Sequence, residues 1–168
     1  MTLFVGTSGW QYKDWRGVLY PAGCPMRLWL EEYTEHFATV EINNAFYRLP
    51  SRETFEAWRS RVPGDFVVAV KASRYLTHIK RLRDPQEPVA RLMSHAEGLG
   101  DRLGPVLLQL PPTLRPTPAC WTPAWSAFRP ARGWRWSHGT SRGGHRGPGR
   151  SWRTGARPCA GPTSSPAP

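Results

Sequence analysis

The residues best suited to chemistry stand at the ends of short apolar segments, and Glu41 is the first of them. Glu41 and Asn43 are two residues apart in the alternating segment 39–43, so an extended backbone places both side chains on one face. A carboxylate in this position can act as a general base or bind a metal ion. The competing interpretation is a strand-end carboxylate that only faces solvent.

Lys71 and His78 are the other candidates for catalysis. Lys71 ends the apolar segment 66–71, where its ammonium could neutralise an anionic substrate such as a phosphate or simply reach water. His78 follows in a polar connection with no Cys or His at metal-ligand spacing, and it could serve as an acid or base or stay a solvated side chain. The sequence identifies neither a metal nor a cofactor.

Hydroxyl and aromatic residues in two loops are the candidates for ligand binding. Thr7 and Ser8 form a small turn after the first apolar segment, and such a turn can hold a phosphate on its backbone N–H groups. It lacks the glycine spacing and the lysine of a P-loop, so nucleotide binding has little support. Five aromatic residues could stack on a sugar or base or could merely close the mouth of the fold, and a cation and an amide complete the set. These residues are Trp10, Tyr12, Trp15, Phe46, Tyr47, Arg48 and Gln109.

Alternating strands and helices must position these side chains. Four apolar or alternating segments predict strands and three amphipathic segments predict helices, the second with Ser51 as its N-cap. In chain order these segments are residues 3–6, 26–37, 39–43, 51–62, 66–71, 88–99 and 103–111. The alternation predicts an α/β fold with a parallel sheet, which binds ligands at the carboxyl ends of its strands. Four strands alone fit a doubly wound sheet and half of a (β/α)8 barrel equally well.

The composition of the chain changes near residue 115. All 12 Asp and Glu residues lie at or before Asp101, and residues 116–168 consist mostly of Arg, Gly, Pro, Ala, Ser, Thr and Trp. The formal net charge of +11 arises largely there, because residues 1–101 hold 13 Lys and Arg against 12 Asp and Glu. Three interpretations compete for this tail: an RNA-binding arm containing the segment from Arg132 to Trp136, a disordered Pro/Gly linker, and translation out of frame.

Four motifs occur in order before residue 115. They are G-T-S-G-W from Gly6, V-E-I-N-N-A-F-Y from Val40, F-V-V-A-V-K from Phe66 with the later pair Thr77-His78, and G-P-V-L-L-Q-L-P-P from Gly104. Together they make residues 2–115 resemble the YecE-like family, domain of unknown function 72. The resemblance implies a TIM-type (β/α)8 barrel, of which residues 1–115 would be the first half with four βα units. It implies no assigned activity.

The family pattern continues with segments that do not occur in residues 116–168. They are a helix, a strand resembling V-A-V-E-P-R-H-x-S-W-W, and the segment A-L-C-W-A-D. If the codons of residues 116–168 are read with a shift of one base, the three segments become possible in the same order. The E-P-R-H segment would supply a further acid, base and cation. We therefore predict that register is lost near Arg115, that residues 116–168 form a non-native, disordered tail with no domain, and that the remaining half-barrel is truncated and inactive.

The predicted partner of the intact barrel is a phosphorylated or sugar-like small molecule, and the residues do not decide whether the protein is an enzyme. The alternative is a small α/β protein that binds nucleic acid through its basic tail. Residues 1–6 lack the basic start and long apolar run of a signal peptide. No stretch approaches the roughly 20 apolar residues of a membrane span. These features predict a cytoplasmic protein with no membrane partner.

Overall fold

A parallel sheet of four strands organises the chain, and the computed structural model describes residues 3–114 and 118–128. The sheet order β1-β2-β3-β4 follows the sequence without reversal. The strands and helices are β1 (Gly6–Ser8), α1 (Trp29–His36), β2 (Thr39–Ile42), α2 (Arg52–Arg59), β3 (Val67–Lys71), α3 (Gln86–Ala96), β4 (Leu103–Leu107) and α4 (Pro118–Ala127). The predicted α/β class and parallel sheet are confirmed.

Short helical turns fill several connections. The 3-10 turns are Lys13–Trp15, Met26–Leu28, Asn44–Phe46 and Glu97–Arg102, and one π-helical turn spans Tyr75–Ile79. The π turn lies in the polar connection that contains His78. The predicted N-cap is confirmed, because the Ser51 hydroxyl accepts a hydrogen bond of 3.3 Å from the backbone N–H of Thr54.

The two faces of the sheet differ in how much of them is covered. Val40 and Ile42 in β2, and Val68 and Val70 in β3, are at most 2% exposed and belong to one core with the buried side chains of α1, α2 and α3. The residues between them are only half-buried. A nearly continuous apolar run such as 66–71 is typical of a strand covered on both faces. Within the described residues, the helices cover only one face of β3.

The first strand begins later than predicted, and the apolar residues before it are not buried. The predicted strand 3–6 becomes β1 at Gly6–Ser8, while Leu3 and Val5 are 85% and 62% exposed. The reason is topological, since β1 lies at an edge of the sheet and pairs with β2 alone among the described strands. Among the described residues, no partner strand buries an apolar segment in this position.

Helix α4 corrects the prediction that disorder begins at residue 116. Ala124 is fully buried and Phe128, four residues later, is 3% exposed. Both belong to the core, and α4 contacts α3. Side chains four residues apart lie on one side of a helix, so this pair gives α4 an apolar contact that the composition of the segment did not predict. Residues 129–168 lie outside the described part of the chain.

Candidate functional site

Three adjacent strands bring a serine, a glutamate and a lysine together. Ser8 of β1 pairs with Glu41 of β2, and the Ser8 hydroxyl donates a hydrogen bond of 2.7 Å to Oε1 of Glu41. Nζ of Lys71, the last residue of β3, lies 3.9 Å from the same oxygen. Because register partners in a parallel sheet share a face, these side chains project from the half-buried face.

Asn43 completes this group, and we call Ser8, Glu41, Asn43 and Lys71 the polar cluster. The Lys71 ammonium donates a hydrogen bond of 3.0 Å to Oδ1 of Asn43 and lies 5.1 Å from the centre of the Phe46 ring. The Lys71 side chain is 13% exposed, so it is largely withdrawn from water. The 3.9 Å distance from Nζ of Lys71 to Oε1 of Glu41 fits an ion pair but is too long for a hydrogen bond. Within the described residues, the ammonium therefore has N–H groups left to donate to a ligand.

His78 is connected to the polar cluster by the Phe46 ring, which contacts both His78 and Lys71. The imidazole meets the Phe46 ring at 85° with their centres 5.2 Å apart. Its Nδ1 lies 2.9 Å from the hydroxyl oxygen of Thr77. The structure therefore brings all three predicted catalytic side chains, Glu41, Lys71 and His78, to one end of the sheet.

Two predicted ligand-binding residues point elsewhere. Thr7 pairs with Val40, a residue of the helix-covered face, and its backbone N–H donates a 2.8 Å hydrogen bond to the Tyr33 hydroxyl of α1. Trp10 is 6% exposed and packs edge-on against Trp58 with ring centres 5.3 Å apart. Both residues stabilise the core, so the proposed turn contributes Ser8 to the polar cluster and not Thr7.

The remaining predicted ligand-binding residues lie around the polar cluster or apart from it. The Tyr12 hydroxyl donates to the backbone oxygen of Ser8, and its ring packs 4.7 Å from that of Trp15. Tyr47 and Arg48 line a separate groove of about 590 Å³. Gln109 is exposed beyond the end of β4. The five aromatic residues therefore do not form one continuous wall.

Thr77 is a site residue whose contact the sequence reasoning missed. It is fully buried, and its hydroxyl donates a 3.0 Å hydrogen bond to the backbone oxygen of Ser73. A threonine hydroxyl often bonds the carbonyl four residues earlier in a helix, and a threonine directly before a candidate histidine was the available signal. Within residues 3–114 and 118–128, no group of three or more His, Cys, Asp or Glu side chains is placed to hold a metal ion.

These observations define an α/β protein whose parallel sheet carries a polar cluster at the carboxyl ends of three strands. The model of the family described as protein of unknown function DUF72 matches residues 4–130. The chain belongs to this family. Among the helices that the structure describes, none has the length and apolar character needed to cross a membrane.

Relatives and solved structures agree with this assignment. UPF0759 protein YecE of Escherichia coli (strain K12) is 31% identical over 121 residues, which are 71% of this chain and 42% of that protein. UPF0759 protein YunF of Bacillus subtilis (strain 168) is 26% identical over 66% of this chain and 40% of its own length. The chain thus spans about two fifths of these relatives.

The fold also matches crystal structures of the family. The DUF72 family protein TM1631 of Thermotoga maritima MSB8 superposes with a TM-score of 0.61 at 30% identity, over 74% of this chain and 50% of that one. The DUF72 family protein EF0366 of Enterococcus faecalis V583 superposes with a TM-score of 0.54 at 20% identity, over 71% of this chain and 43% of that one. The second likeness concerns the fold alone.

Proposed function

We propose that the described residues are the first four βα units of a (β/α)8 barrel whose inner face carries the polar cluster. The unreversed strand order supports this, because a doubly wound sheet reverses its order at a switch point whereas successive barrel strands do not. The cover of one sheet face by helices supports it as well. The half-buried face would then be the barrel interior.

The proposed function of the intact barrel is to bind a phosphorylated or sugar-like small molecule. The observation that carries this proposal is the contact network of Ser8, Glu41, Asn43 and Lys71 at the carboxyl ends of the strands. Barrel proteins bind their ligands at this end. An ammonium that is largely withdrawn from water, with N–H donors that no described residue uses, suits a phosphoryl or hydroxyl oxygen.

Each ionisable residue has a distinct proposed role. Lys71 would hold an anionic oxygen of the ligand. Oε1 of Glu41 accepts from Ser8, while Oε2 has no hydrogen bond within the part of the chain that the structure describes, and it is free to accept a ligand hydroxyl or its proton. His78 would act beside them as an acid or base. If the barrel is an enzyme, these three groups are the proposed catalytic set.

The experiment that tests the site is a titration of the full chain with inorganic phosphate, followed by NMR. We expect weak binding that falls at least tenfold in Lys71→Met, since a charge-assisted hydrogen bond contributes about 1.5–3 kcal/mol. Lys80→Met is the matched control: Lys80 pairs with the exposed Asp84 in the connection after β3 and lies outside the polar cluster. Equal phosphate affinity in the two variants would refute the site.

We further propose that the reading frame is lost near Arg115, so that the chain as encoded lacks the later barrel units and has no turnover. The support is the loss of Asp, Glu and Lys after this point and the family segments permitted by a one-base shift. Sequencing the gene across codons 114–118 tests the proposal. We expect that one base restored in these codons recovers the family segments downstream, and a printed frame that aligns with the family over all of residues 116–168 would refute the proposal.

A further inference from the structure

We propose that Thr77 is a positioning residue that fixes His78 in the Nδ1–H tautomer and leaves its Nε2 as the proton acceptor for a ligand hydroxyl. The fixed tautomer follows from contacts within the chain. The role of Nε2 rests on the proposed function, because it requires a ligand beside the polar cluster.

The tautomer follows from the single proton of the Thr77 hydroxyl. That hydroxyl donates to the backbone oxygen of Ser73 at 3.0 Å, and a carbonyl oxygen can only accept. Its oxygen also lies 2.9 Å from Nδ1 of His78. Since the one hydroxyl proton is already used, Thr77 can only accept from His78. Both contacts then contain a proton only if Nδ1 carries one, and in that neutral ring Nε2 holds the lone pair.

The two contacts of the Thr77 oxygen make the other tautomer less favourable. Thr77 is 0% exposed, so water does not reach its hydroxyl, while Ser73 and His78 are half-buried. If His78 adopted the Nε2–H tautomer, the single Thr77 hydroxyl proton would face two acceptors, and either the 3.0 Å contact to the Ser73 oxygen or the 2.9 Å contact to Nδ1 would bring lone pairs together without a proton. The Ser73 oxygen would still accept a 3.2 Å hydrogen bond from the backbone N–H of Thr77. The Nδ1–H tautomer therefore makes one hydrogen bond more than the alternative, which favours it by roughly two- to tenfold.

The backbone around Thr77 is held at both ends. The N–H of Leu76 donates to the Ser73 hydroxyl, and the π turn closes with a 2.8 Å hydrogen bond from the N–H of Lys80 to the Tyr75 oxygen. Leu82 then has a φ of 64°, which is unfavourable for leucine, yet its side chain is only 2% exposed. Such strain persists where packing over-determines the backbone, and it is frequent at functional sites, as are π turns.

The position of His78 connects the contact between Thr77 and His78 to the polar cluster. Its ring meets Phe46, and Phe46 presents its face to the Lys71 ammonium. Within the described residues Nε2 of His78 has no hydrogen-bond partner, and the side chain is half-buried rather than enclosed. A ligand anchored on Lys71 and extending past Phe46 could therefore offer a hydroxyl proton to Nε2.

The experiment is nitrogen NMR of histidine-labelled full chain at a pH where imidazoles are neutral, with His78→Gln used for assignment. We expect His78 to be protonated at Nδ1 in the native chain and in Thr77→Ser. In Thr77→Val we expect the Nε2–H form that free imidazole side chains prefer. A native His78 protonated at Nε2, or one unaffected by Thr77→Val, would overturn the proposal. If Thr77→Val fails to fold, the native chain and Thr77→Ser decide the question.

His95 provides an internal control in the same spectra. Its Nδ1 lies 2.8 Å from the backbone oxygen of Pro50, so it must also be an Nδ1–H donor, and no Thr77 variant should change it. Addition of inorganic phosphate separates the two proposals. If phosphate does not bind while His78 keeps the Nδ1–H form, the proposed function fails and the tautomer assignment stands. If phosphate binds but leaves the Nε2 resonance unmoved, the ligand-facing role of His78 is refuted.

Discussion

Single side chains connect distant parts of the fold through ion pairs, and the pair of Glu31 and Arg61 is well formed. The Arg61 guanidinium donates to both carboxylate oxygens, at 2.7 and 2.8 Å. These hydrogen bonds from Arg61 lower the pKa of Glu31 below its ordinary value of 4.5, and the same contacts raise the pKa of Arg61. The bidentate geometry ties α1 to the segment that follows α2.

The pair gives a prediction about acid stability. Because the folded state lowers the pKa of Glu31, the contribution is fully present above about pH 4.5 and is lost as pH falls through the lowered value. The groups are 41% and 33% exposed, so we expect Glu31→Gln to cost only about 0.5–1 kcal/mol at neutral pH. Thermal unfolding of both proteins from pH 7 to pH 3 measures this.

The difference in Tm between native chain and Glu31→Gln should shrink toward zero in acid. Glu56→Gln is a suitable control, since Glu56 pairs with Arg52 on one helix and both side chains are 52% exposed. Its effect on Tm should be smaller at neutral pH. A Glu31→Gln difference that stays constant from pH 7 to pH 3 would contradict the assignment.

Among the secondary-structure elements, the pairing of β1 with β2 depends on a close approach at Gly6. A Cβ atom added there would lie 2.0 Å from the backbone oxygen of Thr39 and 2.8 Å from its carbonyl carbon. Backbone atoms cannot move aside as a flexible side chain can. The strand therefore needs glycine at this position to bring Ser8 into register with Glu41.

We expect Gly6→Ala to destabilise the protein by about 1–3 kcal/mol through this clash and to weaken the β1–β2 pairing. Gly23→Ala is the control, because a Cβ at Gly23 meets nothing within 4 Å. Denaturant unfolding measures the free energy, and amide hydrogen exchange at residues 6–8 and 39–41 measures the pairing. Equal stability of the two alanine variants would show that β1 does not pack as described.

At the scale of the whole molecule, the notable feature of the described sheet is its two edge strands, β1 and β4. Among the described strands, β1 and β4 each pair with one neighbour only. Leu3, Phe4 and Val5 extend the β1 edge and are 85%, 45% and 62% exposed. Apolar residues beside an unpaired strand edge favour association with another chain.

We therefore expect the purified chain to self-associate instead of remaining a monomer, and Val5→Lys to reduce that association by placing a charge on the edge. Val18→Lys is the matched control, because Val18 is 86% exposed in a turn outside the sheet. Sedimentation velocity over a range of concentrations measures the effect. A native chain that stays monomeric at every concentration and unfolds cooperatively would refute the prediction.

The sequence by itself determined the class of fold, the family and the order of the elements. The alternation of strands and helices, the Ser51 cap and the four motifs are local patterns, and local patterns depend on residues near one another in the chain. The same reasoning placed Glu41 and Asn43 on one face, because a strand alternates with a period of two. Element ends shifted by a few residues, as β1 illustrates.

Only the tertiary structure decided which side chains meet. Ser8 and Thr7 are neighbours in sequence, yet the register sends one to Glu41 and the other toward Tyr33 of α1. Trp10 became a core residue because Trp58 from α2 packs against it. These outcomes depend on contacts between segments tens of residues apart, whose relative positions are set by sheet register and core packing. No local pattern carries that information, which is why the partners of the site appeared only in the folded chain.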